Sequence, residues 1–195
     1  LQSLIDLLAI YALNIDMSCN ANKTVCMVFK PKRRNMAVEF VFPQFTINNV
    51  ALEFVSEFKY LGHMICNSLS DDVDIKREIR NLFMRSNVLI RRFSKCLTSV
   101  KLQLFKSFCL CLYDVGLWGN YSATVFNKLR SCYHKCIKMF FGFDRLYSVT
   151  QMLLQLNLPS FDNLILNCIN SFHKSCSAAV GQNALISNLN TLCLL

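Results

Sequence analysis

Two groups of cysteine and histidine are the first candidates for chemistry in this sequence. They are Cys132, His134 and Cys136, and Cys168, His173 and Cys176. Structural zinc sites usually begin with paired cysteines on a turn, which neither group provides. On a helix, Cys132 and Cys136 would share one face while His134 points away. None of the 11 cysteines has the neighbours that activate a nucleophilic thiol. We therefore expect reduced cysteines that pack as small hydrophobic residues, and no metal site.

Three aspartates, Asp71, Asp72 and Asp74, could hold a divalent cation through their carboxylates. Their spacing matches neither a calcium-binding loop nor the carboxylate pair of a polymerase strand. They stand at the start of a predicted helix, where Ser70 or Asp71 can cap the first turn and negative charge favours the helix dipole. Helix capping is therefore the interpretation that the sequence favours.

Basic residues indicate the kind of partner. Lys and Arg number 21 against 12 Asp and Glu, a net charge of +9 that suits a polyanion such as nucleic acid, although a basic surface also serves solubility. Lys23, between a polar turn and an apolar strand, could reach a phosphate or lie in solvent. A basic loop covers residues 30–35. The most basic helix begins near Ser70, and its polar side carries Lys76, Arg77, Arg80, Arg85, Arg91, Arg92 and Lys95.

The predicted secondary structure that positions these residues changes at Asn67, from mainly strands before it to helices after it. Before it, the sequence predicts a helix over residues 1–16, strands over 24–29, 37–42 and 58–65, and a hairpin turning at Asn48-Asn49. After it, helical spacing predicts helices over residues 70–97, from 98 to near 116–119, and over 122–141, 148–156 and 161–175. We therefore expect an α+β fold in which a small antiparallel sheet precedes a helical bundle.

The apolar content is high, with 53 % hydrophobic residues and a mean hydropathy of +0.33. Lys106 and Asp114 interrupt the richest stretch, so no apolar run reaches the roughly 18 residues that predict a membrane span. Asp6 interrupts the first apolar run, so no signal peptide is predicted, and reduced cysteines suit the cytoplasm or the nucleus. The chain opens with Leu1 inside a helical pattern, and we expect a fragment whose apolar face upstream sequence would cover.

Two segments, taken in order, resemble the reverse transcriptases of non-LTR retrotransposons. Asn20, Lys23, Thr24, Met27 and Phe29 match the family's N-x-x-K-T-x-x-M-x-F segment, which follows the catalytic aspartates. Residues 58–62, Phe-Lys-Tyr-Leu-Gly, match the family's next motif. The helical half then continues to Tyr113, Leu117 and Trp118 in an order typical of the family's thumb. The resemblance runs from Leu1 to about Pro159.

The resemblance implies an incomplete right-hand polymerase, with a small antiparallel palm remnant followed by an all-α, thumb-like helical bundle. Residues 1–67 would be the end of the palm with a primer-grip-like hairpin, residues 68–145 the thumb, and residues 146–195 a helical extension. Lys23 would act as a proton donor to the departing pyrophosphate. The residues that would contact template and primer are Phe58, Lys59, Tyr60, Gly62, Lys76, Arg77, Arg80, Arg91 and Arg92.

The chain departs from the family where catalysis is concerned. The Tyr-x-Asp-Asp strand is absent, and so is the other metal-binding aspartate. An RNA-directed DNA polymerase needs those carboxylates to hold Mg²⁺. We therefore expect a fragment that contributes binding of an RNA template and a DNA primer, cannot polymerise alone, and belongs with missing N-terminal fingers and palm. The alternative is a helical protein-interaction module with no nucleic-acid role.

Overall fold

A computed structural model of the chain describes residues 1–29 and 42–179. The described part is a mixture of six α-helices and six short strands. The chain divides into two compact units, a strand unit of residues 1–70 and a helical unit of residues 71–195. The predicted basic loop at 30–35 and nearly all of the predicted strand at 37–42 lie outside the described residues.

The strand unit begins with helix α1, Gln2–Asn14, as the sequence predicts. The Gln2 side chain joins this helix to strand β2, Thr46–Ile47, because its amide donates to the Thr46 carbonyl at 2.9 Å and accepts from the Thr46 N–H at 3.0 Å. Only Ala12 of α1 is buried. The helix therefore leaves a large apolar surface exposed, formed by Leu4, Leu7, Leu8, Ile10, Tyr11 and Leu13.

Two of the short strands pair as an antiparallel hairpin and two others pair in parallel. Strand β2 pairs with β3, Val50–Ala51, through the turn predicted at Asn48-Asn49, where both asparagines have positive φ. The predicted strand 24–29 shrinks to β1, Val25–Cys26, which pairs in parallel with β4, Glu53–Phe54. The expectation of a wholly antiparallel sheet is therefore wrong, because β1 finds its partner across a long connection.

The stretch 58–65, predicted as one strand, is a hairpin of two strands. Strand β5, Glu57–Tyr60, pairs antiparallel with β6, His63–Cys66, and the register opposes Phe58 to Ile65 and Tyr60 to His63. Leu61 and Gly62 form the turn with φ values of 47° and 97°. Glycine adopts such a value without a steric penalty, whereas leucine does not.

Replacing Leu61 with asparagine is expected to stabilise this hairpin by about 1 kcal/mol, because asparagine tolerates positive φ in a two-residue turn. Amide hydrogen exchange in β5 and β6 should slow about fivefold. Leu146→Asn is the matched control, since Leu61 and Leu146 are both 90 % exposed and Leu146 has no positive φ. Equal exchange rates in the Leu61 variant and the unchanged protein would contradict the backbone argument.

The helical unit is built on five helices around one apolar core. They are α2, Asp72–Phe93; α3, Thr98–Cys109; α4, Ala123–Phe141; α5, Val149–Leu156; and α6, Phe161–Ala179. Helices α2 and α4 make the most extensive pairing. Fully or nearly fully buried residues of α2 to α6 form one continuous cluster, which includes Leu82, Phe105, Tyr133, Met152 and Phe161. Burial of these side chains is the main stabilising term for this unit.

Three predicted helix ends in this unit are confirmed by their caps. Ser122 accepts a hydrogen bond from Val125 N–H and Ser148 accepts one from Gln151 N–H, while Gly142 ends α4 in the left-handed region. Two helices end before their predicted bounds, since α2 ends at Phe93 rather than near residue 97 and α3 ends at Cys109 rather than near 116–119. Asp114, with a φ of 65°, then leads into a short 3₁₀ turn. Leu97, which falls at the end of the helix predicted over residues 70–97, is exposed in the link between α2 and α3.

Candidate nucleic-acid interface

Helix α2 carries three exposed cations on one side, Lys76, Arg80 and Arg91. At about 100° per residue they lie within about 60° of one another around the helix axis. The first and last are separated by roughly 22 Å along the axis, at about 1.5 Å per residue. Among the described residues none of the three forms an ion pair. Arg92 is also exposed, but it lies about 100° further round the helix.

Arg77 does not belong to this exposed row, contrary to the prediction that it lies on the solvated face. Its side chain is 13 % exposed, and its Nε lies 2.6 Å from Asp74 Oδ1. Its guanidinium also lies 3.2 Å from Asp114 Oδ2. The hydrogen bond to Asp74, together with the nearby negative charges, raises the pKa of Arg77 despite its partial burial. The charge of Arg77 is therefore compensated within the helical unit.

Arg85 is compensated in the same way. Its Nη2 lies 2.5 Å from Oε1 of Glu78, whose side chain is fully buried. Arg77 contacts the other oxygen of Glu78 at 3.4 Å. The two arginines thus neutralise two buried acids, and only part of the basic side predicted for α2 faces solvent.

The aspartates at the start of α2 connect this helix to the chain before α4. The Asp71 carboxylate accepts hydrogen bonds from the N–H groups of Gly119 and Asn120, at 2.8 and 2.7 Å. Asp72 accepts one from Ser122 N–H at 2.7 Å. Asp71 occupies the N-cap position without a side-chain capping bond, so the capping interpretation is wrong for its carboxylate. One oxygen of each of these two carboxylates therefore holds the start of α2 against the chain before α4.

Lys23 ends a 3₁₀ turn, Ala21–Lys23, in the strand unit. The turn is held by Asn20, whose side-chain oxygen accepts from Lys23 N–H at 3.2 Å and whose carbonyl accepts from Thr24 Oγ1 at 2.8 Å. The Lys23 side chain is exposed and forms no hydrogen bond with another described residue. The local fold therefore presents its ammonium group to solvent. This placement suits a lysine that contacts a phosphate and equally a lysine that is only solvated.

The residues of the Phe-Lys-Tyr-Leu-Gly motif occupy the β5–β6 hairpin. Phe58 is partly buried, whereas Lys59 and Tyr60 are exposed. Gly62 provides the second turn position described above. Lys59 and Tyr60 therefore lie where a ligand could contact them, and Phe58 and Gly62 maintain the hairpin that presents them.

Four of the ten cysteines in the described part of the chain are buried, and three of these, Cys109, Cys132 and Cys136, lie in the helical unit. The Sγ atoms of Cys132 and Cys136 lie 3.9 Å apart inside the core, while His134 points away from them, as the helical spacing predicts. The hydrogen bond to Cys136 and burial both raise the pKa of Cys132. Burial raises the pKa of Cys109 to about 12. Cys132 and Cys109 are therefore held as neutral thiols, which suits packing rather than nucleophilic attack.

A basic groove beside α4 was not predicted from the sequence. It has a volume of about 610 Å³ and is lined by Ser131, His134, Lys135, Lys138, Met139, Phe143, Arg145 and Val149. Lys138 closes one side, because its ammonium group donates to the carbonyls of Arg145 and Tyr147, at 2.7 and 2.6 Å. The sequence shows the basic residues along α4. It does not show that Arg145, which follows the end of α4, lies beside the same helix.

Comparison of the chain with models of protein families gives no match, and comparisons with curated proteins and with solved structures give none either. Within the described residues, no helix combines the length and the apolar character required to cross a membrane. The functional interpretation therefore depends on the motifs in the sequence and on the placement of the basic residues.

Proposed function

We propose that this chain is the C-terminal part of an RNA-directed DNA polymerase, the reverse transcriptase of a non-LTR retrotransposon. Its role would be to bind the duplex of RNA template and DNA primer. The observation that carries this proposal is the row of exposed cations on α2, Lys76, Arg80 and Arg91, which form no ion pair with any residue in 1–29 or 42–179. The ordered motifs at Lys23 and at residues 58–62 supply the link to the family.

The geometry of the row suits a phosphate backbone. A straight helix presents its cations at fixed intervals, and duplex nucleic acid presents one phosphate per strand at about 3.4 Å of axial rise. Such contacts position a duplex without reading its sequence, as a polymerase thumb requires. Arg92, further round α2, would reach a phosphate only from the flank of the row. Arg77 is assigned to folding instead, because three carboxylates already surround it.

The proposed role is binding and not catalysis. Mg²⁺ would belong to the intact enzyme, where upstream carboxylates would hold it and stabilise the attacking and leaving oxygens. In this chain the remaining chemistry would fall to Lys23, whose exposed ammonium could donate a proton to pyrophosphate. Lys59 and Tyr60 would contact the primer from the β5–β6 hairpin.

The exposed apolar surface of α1 favours a protein partner. Within the proposal, this partner is the fingers and the rest of the palm of the same polyprotein. The same surface also favours the second candidate, a protein-interaction module without a nucleic-acid role, because an exposed apolar patch of this kind marks an interface. The two candidates differ in what they require of α2, since only the first requires affinity for nucleic acid.

Binding of a blunt RNA–DNA duplex as a function of salt concentration tests the proposal. If Lys76, Arg80 and Arg91 each neutralise one phosphate, log K should fall with log salt concentration with a slope of about −3. A gel-shift or anisotropy titration at several salt concentrations measures this slope. Absence of binding at low salt would contradict the proposal and would leave the interaction module as the better interpretation.

A further inference from the structure

We propose that the basic groove beside α4 binds one unpaired nucleotide of a single-stranded nucleic acid. Lys135 and Arg145 would hold its phosphate, and its base would lie on Met139 and Phe143. The inference rests on the proposed function and deepens it, because it adds a single-strand contact to the duplex contact on α2. None of the residues in this groove carries the family resemblance.

The groove has donors that are available to a ligand. Lys135 and Arg145 are exposed, and among the described residues their side chains form no hydrogen bond or ion pair. The Lys135 ammonium lies 5.7 Å from the centre of the Phe83 ring, a contact that orients it without neutralising its charge. Lys138, although bonded to two carbonyls, keeps its positive charge beside them.

Among the described residues, none that lines the groove has a carboxylate. Two acids beside lining residues have partners of their own. Asp144, next to Arg145 in the chain, accepts from Leu146 N–H at 2.7 Å, and Asp162 is paired with Arg130 at 2.7 Å. The pKa of His134 is lowered, first by burial and then by the charges of Arg130 and Lys138. Three cations beside a neutral imidazole favour an anion rather than a metal ion.

The apolar part of the groove explains why the ligand would be a nucleotide and not phosphate alone. Met139 is exposed, and the Phe143 ring packs against Tyr147 with ring centres 5.0 Å apart and an interplanar angle of 35°. A base can lie against such a surface because every base has a flat π-face. The volume of about 610 Å³ lies within the range of small-molecule sites and exceeds what a bare phosphate fills. An RNA–DNA duplex cannot enter it, since its bases are paired and stacked.

The test uses fluorescence anisotropy with two probes, a labelled single-stranded oligothymidylate and a blunt RNA–DNA duplex. The double variant Lys135→Ala/Arg145→Ala should lose about 10-fold in affinity for the single strand and less than about twofold for the duplex. The matched control is Lys106→Ala/Lys128→Ala, which removes two exposed cations outside the groove. Equal losses in the two double variants would overturn the site.

Two further measurements separate the parts of the proposal. Thymidine 5′-monophosphate should displace the single strand at a concentration at least about 10-fold lower than inorganic phosphate does, and Phe143→Leu should reduce that advantage. Equal displacement by both would overturn the base contact.

Arg80→Ala/Arg91→Ala should weaken duplex binding while leaving single-strand binding intact. Loss of single-strand binding in this variant would show that the groove does not act as a separate site, whatever the fate of the duplex proposal.

Discussion

Asp74→Ala is expected to lower the free energy of unfolding of the helical unit by about 3–5 kcal/mol. The Asp74 side chain is fully buried, pairs with Arg77 at 2.6 Å, and accepts a hydrogen bond from the Trp118 indole at 2.8 Å. Removing the carboxylate leaves a partly buried guanidinium without its closest partner and an indole N–H without its acceptor. Both losses act on the junction between α2 and the segment that precedes α4.

Denaturant unfolding followed by circular dichroism measures this change. Trp118 is the single tryptophan of the chain, so its fluorescence reports separately on the junction. Asp162→Ala is the matched control, because Asp162 also pairs with an arginine at 2.7 Å but its side chain is 65 % exposed. The control should cost less than about 1 kcal/mol, since exposed ion pairs contribute little. A similar loss of unfolding free energy in the two variants would show that burial does not determine how much the Asp74–Arg77 ion pair stabilises the unit.

Asp74→Asn separates the two contacts of this carboxylate. The amide oxygen of asparagine can still accept from the Trp118 indole, but it offers no negative charge to Arg77. We expect a cost between those of the alanine variant and the unchanged protein, with Trp118 fluorescence close to the native signal. A fluorescence change as large as that of Asp74→Ala would show that the ion pair, and not the indole bond, fixes the junction.

Local signals in the sequence predicted much of this fold. Ser122, Ser148 and Gly142 identify helix ends because caps depend on residues a few positions away. The Asn48-Asn49 turn was recognised for the same reason. The turn at Leu61-Gly62 was missed, although Gly62 was a visible signal, because alternating apolar residues continued across it. The apolar and aromatic pattern predicted one continuous strand, although Gly62 lies in the turn that follows β5.

The parts that could not be predicted depend on residues far apart in the chain. Arg77 and Arg80 look equivalent in sequence, yet Arg77 meets Asp114 and Arg80 does not. The pairing of β1 with β4 likewise joins Val25 to Glu53. The sequence therefore identified the helix that carries the exposed row of cations, but the division of those cations between folding and solvent required the tertiary structure.

This division determines how the duplex-binding proposal should be tested. Arg77→Glu would place a fourth carboxylate beside Asp74, Glu78 and Asp114, so any loss of binding could reflect unfolding. Arg80 and Arg91 are exposed and unpaired among the described residues, and their replacement should leave the fold intact. A test restricted to these two arginines therefore measures contact with the ligand rather than stability.

The double variant Arg80→Glu/Arg91→Glu is expected to lower affinity for an RNA–DNA duplex at low salt by about 100-fold and to reduce the salt slope by about two. The effect should be the same for duplexes of different sequence, because phosphate contacts carry no sequence information. Lys106→Glu/Lys128→Glu makes the same change in net charge at exposed positions on α3 and α4 and is the control. If both variants lose affinity equally, the overall charge and not α2 attracts the duplex; if neither does, the assignment of this helix to the thumb is wrong.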